Sequence, residues 1–149
     1  MKGFISYSHM DTALFRRLKA HLRLVPEVSF WTDQEILAGD KWDAMILAEL
    51  TAAKVILLCV SAYFYDSNYI RTKELSHALE RDRRRTALVI PVIMKDCMWQ
   101  AEPSLSALSA VPLYGKPIQM WTPQENGLTD ACKRIRNKVL SFMGGTSEP

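Results

Sequence analysis

The residues of this sequence best placed for side-chain chemistry are two carboxylates that follow apolar runs, with hydroxyl and aromatic groups beside them. Glu74 comes after the run Val55–Val60, past the aromatic cluster Tyr63, Phe64 and Tyr65 and about two turns into the helix that follows. It stands one residue before Leu75 and four before Ala78, so it borders an apolar stripe. A carboxylate there overlooks the cleft between the first and third strand ends. Spacing alone leaves the commoner reading open, a surface glutamate paired with Arg71 or Lys73. Asp33 follows another short apolar run and reads as a loop or cap residue, or as an acceptor in a pocket. Ser8 reads as a turn residue, and Trp31 and Trp42 as core instead of a stacking platform.

Several chemistries lack their residues. There is no GxGxxG and no GxxxxGK[ST], so the usual phosphate cradles are missing, and no GxSxG elbow for serine hydrolysis. His9, His21 and His77 have no HxxxH or HExxH partner, and Cys59, Cys97 and Cys132 fit no zinc spacing, so no metal site is expected. The cysteines read as a strand, a loop and a helix-face thiol. The basic run Arg81–Arg85 reads as a solvated helix end, since no aromatics interleave with it.

The elements that must position these groups alternate. Gly3–Tyr7 is a first strand, and Leu14, Phe15, Leu18 and Leu22 recur at helical spacing after a cap at Asp11. Val28–Trp31 is a second strand, Asp33–Asp40 a loop, and Trp42, Met45, Ile46 and Leu50 a second helical stripe. Val55–Val60 and Ala87–Ile93 are apolar without alternation, which marks strands covered on both faces. Ser61–Asn68 is expected as a loop, with Ser67 or Asn68 capping the helix that carries Glu74. Lys95–Gly115 reads as a loop with a short helix at Leu105–Leu108, and Ile118–Met120 as a last strand. Thr122 as cap with Pro123 at the first position opens a final helix, whose apolar face runs from Leu128 to Phe142. The expected fold is α/β and flavodoxin-like: three layers, a five-stranded parallel sheet of order 2-1-3-4-5, and helices on both faces.

A length of 149 residues with 23% charged residues suits one domain. A net charge of +3 is too small to imply nucleic acid. No apolar run reaches membrane length and no signal-peptide pattern opens the chain, so a cytoplasmic location without membrane contact is expected. Residues 1–143 form the expected domain and 144–149 a flexible tail.

Phe4–Ser8, Trp31–Trp42, Ser61 and Ser67–Leu75 together resemble a Toll/interleukin receptor (TIR) domain of the bacterial type, as do Val89–Ile93, Cys97–Trp99, Gly115–Pro117 and Trp121. The likeness covers Gly3 to about Phe142. It implies cleavage of NAD⁺ at the nicotinamide–ribose bond, giving ADP-ribose or a cyclic form, with NAD⁺ as substrate and no cofactor. It places the catalytic glutamate on Glu74. It implies substrate contacts at Tyr7, Ser8, Asp33, Leu37 and Trp42, and stacking walls at Phe64 or Tyr69. Many such domains carry Trp four residues before the glutamate; Ile70 stands there and Tyr69 lies five before. The resemblance also implies self-association through the loop Asp33–Asp40, the family's BB loop, and a fused or partner sensor domain for a cyclic nucleotide, with the tail as linker. The biological setting it implies is prokaryotic antiviral defence. The competing expectation is a TIR adaptor that acts by homotypic association without catalysis.

Overall fold

A computed structural model describes residues 1–33 and 42–144, with Trp42 and Asp43 described in backbone only. Four parallel strands form one sheet in the order β2-β1-β3-β4: β1 Lys2–Ser6, β2 Ser29–Trp31, β3 Val55–Val60 and β4 Leu88–Ile93. Helices α1 (Thr12–Leu22) and α2 (Trp42–Ala52) follow β1 and β2. After β3 come α3 (Ala62–Asp66), a wide π-turn (Ile70–Leu75) and α4 (Ser76–Arg83). Beyond β4 lie α5 (Pro103–Ser106) and the long α6 (Gln124–Gly144).

The alternation of side chains along each strand divides the interior in two. Ile5, Val55, Leu57, Cys59, Ile90 and Val92 face one side and pack with Phe15, Leu18, Ile135 and Val139 of α1 and α6. Phe4, Ile56, Leu58, Val60, Val89 and Ile93 face the other and meet Ile46, Leu50, Ile70, Leu75, Ala78 and Leu105. This is the expected three-layer arrangement, and every residue of β3 is buried, as its unbroken apolar run requires. Gly3 is fixed by packing: a Cβ there would fall 2.6 Å from the side chains of Phe30 and Val28.

Several local expectations are corrected. The fifth strand does not form among the described residues; Ile118–Met120 is a turn of 3₁₀ helix. Its place beside β4 is taken by Val111, which makes a lone parallel bridge to Val92 before Pro112 ends the pairing. Proline has no N–H to extend a ladder, and Pro117 and Pro123 flank the segment expected to be the strand. The expected loop after β3 contains α3, because Ser61 Oγ accepts from Phe64 N (3.0 Å) and starts a helix there. The short helix after Pro103 lies at Pro103–Ser106, two residues earlier than expected, with the Glu102 side chain as its cap. The last helix begins at Gln124, not Pro123, and runs through Gly144. Residue 144 is therefore helical, and the rest of the expected tail lies outside the described residues. Asp11 makes no side-chain cap to α1. It is buried instead, accepting from Ser61 Oγ (2.5 Å) with Lys95 Nζ 2.8 Å from its other oxygen.

Candidate active site

The strand order reverses between β1 and β3, so the crevice at their carboxyl ends is the natural ligand position of such a sheet. A cleft of about 460 Å³ opens there, lined by Tyr7, Ser8, His9, Asp33, Ile46, Ser67, Tyr69, Ile70 and Glu74. Each wall has a local cause. β1 ends at Ser6 and delivers Tyr7 to His9, while Ser8 Oγ accepts from Met10 N (3.2 Å) and turns the chain. Tyr7 is buried with its ring stacked on Phe15, centroids 3.7 Å apart. Asp33 follows β2.

Glu74 enters from the wide turn between α3 and α4. Ser67 Oγ accepts from Ile70 N (3.2 Å) at the start of that turn. An ordinary α-helix would rotate a residue five positions back by about 140° relative to Glu74. The π-turn widens the helix by one residue per turn, and Tyr69 and Ile70 both stand on the cleft wall with Glu74.

Glu74 is only 6% exposed, so the surface reading with Arg71 or Lys73 does not hold. Ser6 Oγ donates to Glu74 Oε1 at 2.5 Å, and Arg71 instead donates to the Tyr65 carbonyl (2.6 Å). Burial pushes the Glu74 carboxyl up to about 7; the Ser6 hydrogen bond and His9 pull it down, and the Asp33 charge pushes it up. Burial, then the nearby Asp33 charge, raise the Tyr7 phenol as well. His9 Nε2 donates to Asp33 Oδ2 at 2.8 Å. The site therefore holds a buried carboxylate near its titration point, a second carboxylate paired with an imidazole, and aromatic walls. Such a set can stabilise a cationic centre and move a proton.

Of the residues singled out from the sequence, Tyr7, Ser8, Asp33, Tyr69 and Glu74 share this cleft. Phe64 does not line it: the residue is fully buried in the core under α2 and α4, since the Ser61 cap turns α3 inward. Leu37 and the rest of the loop through residue 41 lie outside the described residues, as does the side chain of Trp42. Sequence reasoning missed Ser6, His9 and Ile46. Ser6 and His9 flank the Tyr7–Ser8 pair it did select, and that proximity was the available signal. No group of three or more His, Cys, Asp or Glu side chains suited to a metal occurs among the described residues. Among those residues no helix is long and apolar enough to cross a membrane.

Residues 4–127 match a family model described as TIR domain. The chain is 35% identical over 149 residues to "Uncharacterized protein y4lF" of Sinorhizobium fredii (strain NBRC 101917 / NGR234), covering 98% of this chain and 46% of the relative. The chain thus spans about half the length of that curated relative.

Proposed function

The chain belongs to the TIR domain family, and from that footing we propose that it is an NAD⁺ glycohydrolase cleaving the nicotinamide–ribose bond. The observation that carries this reading is Glu74, a carboxylate buried in a cleft at the strand-order reversal with a hydrogen-bond donor on Oε1. Nicotinamide is a cationic substituent in NAD⁺ and departs neutral, so the reaction needs no general acid. The group left behind is an oxocarbenium-like ribose. A fixed carboxylate in a water-poor pocket stabilises that charge far more than the same group in water. Glu74 takes this role. Tyr69 supplies the stacking wall, and Tyr7, Ser8 and Asp33 contact the nicotinamide riboside portion. Leu37 and Trp42 join them from the loop and α2.

TIR domains commonly self-associate, and in this reading assembly through the loop Asp33–Asp40 completes the pocket. The product is ADP-ribose or its cyclic form. A sensor domain, fused or separate, switches assembly on in the cytoplasm as part of antiviral defence.

The test follows nicotinamide release from NAD⁺ at high protein concentration with a crowding agent, for the natural protein and Glu74→Gln. Release that falls by about 100-fold or more in the variant is expected. Equal release by both overturns the role of Glu74. No release by the natural protein once assembled turns the reading over in favour of an adaptor.

A further inference from the structure

We propose that His9 is a second catalytic residue, the base that deprotonates the attacking water, held in its working orientation by Asp33. This rests on the glycohydrolase reading and supplies the half of the reaction that Glu74 leaves open. Once the ribosyl cation forms, something must accept the proton of the incoming water. Glu74 has Oε1 tied to Ser6, and its charge serves the cation. The Asp33 side chain is only 17% exposed, with Oδ2 taken by His9.

His9 has what the task needs. It lines the same cleft as Glu74. Its side chain is 61% exposed, so the ring reaches water at the mouth. The ring leans on Tyr7, centroids 5.3 Å apart, and Nε2 is anchored on Asp33 Oδ2 at 2.8 Å. That bond places the ring proton on Nε2 and leaves Nδ1 with its lone pair, without a hydrogen-bond partner among the described residues. A carboxylate that fixes the tautomer and faces the imidazolium is the arrangement by which histidine bases work elsewhere.

The step balances. The C1′–N bond breaks and its electron pair leaves with neutral nicotinamide. The water oxygen bonds to C1′ as its proton passes to His9 Nδ1. Asp33 stabilises the imidazolium until that proton goes to solvent.

Nicotinamide itself can attack the cation without losing a proton, so the base matters for water and not for the reverse reaction. The experiment compares two outputs of the full chain under assembling conditions: ADP-ribose formation, and exchange of isotope-labelled nicotinamide into NAD⁺. In His9→Gln hydrolysis is expected to fall about 100-fold while exchange stays within roughly threefold. Asp33→Asn is expected to lower both outputs, hydrolysis the more, because Asp33 also contacts the nicotinamide riboside portion. His9 is exposed, so its replacement tests chemistry apart from folding. Equal loss of both outputs in His9→Gln, or no change in their ratio, overturns the proposal alone. A natural protein that neither hydrolyses nor exchanges overturns the glycohydrolase reading and this proposal with it.

Discussion

Burial acts on Glu74 in two directions, on its charge and on the stability of the fold. An acid whose folded pKa lies at about 7, above its ordinary value of 4.5, binds its proton more tightly in the folded state. Its contribution to stability is full below about pH 4.5 and is lost as the pH rises through about 7. Above that the buried anion destabilises the fold by about 3 kcal/mol at most. Glu74→Gln is therefore expected to raise stability at pH 8 by about 1–3 kcal/mol and to change it little at pH 4.5, as urea denaturation at the two values checks. The same titration governs the chemistry, because only the ionised form stabilises a ribosyl cation. Nicotinamide release should rise with pH through an apparent pKa near 7. Glu74 was visible in the sequence as a carboxylate bordering an apolar stripe. Its burial was not, since that depends on a hydroxyl 68 residues away at the end of β1. The His9–Asp33 pair was hidden for the same reason: only the parallel pairing of β1 and β2 brings their ends together.

At the scale of elements, periodicity identified what it could measure. The continuous apolar runs of β3 and β4 formed where expected, and the long stripe of α6 did so as far as Val139, with Phe142 exposed beyond it, because each buries a face that only a sheet or helix of that period can bury. Short pieces failed where local chemistry competed. The Ser61 cap made a helix of an expected loop, and prolines made a turn of an expected strand. The run Arg81–Arg85 also proved more than a solvated end. Arg81 donates to the carbonyls of Leu50 (3.1 Å), Thr51 (3.2 Å) and Ala53 (2.8 Å), which closes the end of α2, and to Thr86 O (2.8 Å) beyond α4. The carbonyls of Leu50 and Thr51, in the last turn of α2, have no partner inside their own helix. Arg81→Ala should lower stability by about 2 kcal/mol, with Arg81→Lys recovering little of it because an ammonium lacks the planar fork. The shift of the urea midpoint at constant slope measures it.

For the whole molecule, the three layers and the parallel order 2-1-3-4 followed from alternation of elements, whereas the missing fifth strand turned on prolines. Buried Asp11 and Ser61, with half-buried Lys95, tie together the carboxyl ends of β1, β3 and β4. Lys95→Met removes the cation beside the buried Asp11 carboxyl, and should lower stability by about 1–3 kcal/mol in the same denaturation assay. The division of the interior has a consequence for engineering. Ile46 and Ile70 of the cleft belong to the core beneath α2 and α4, while the core of α1 and α6 lies on the other side of the sheet and reaches the cleft through Tyr7 on Phe15. Sites more than about 10 Å apart with no shared partners respond independently. A thermostable form of this domain is thus best sought by repacking Cys132, Ile135 and Val139 against α1 with Phe15 kept beneath Tyr7, where a directed-evolution library can change melting temperature while the cleft wall stays as it is.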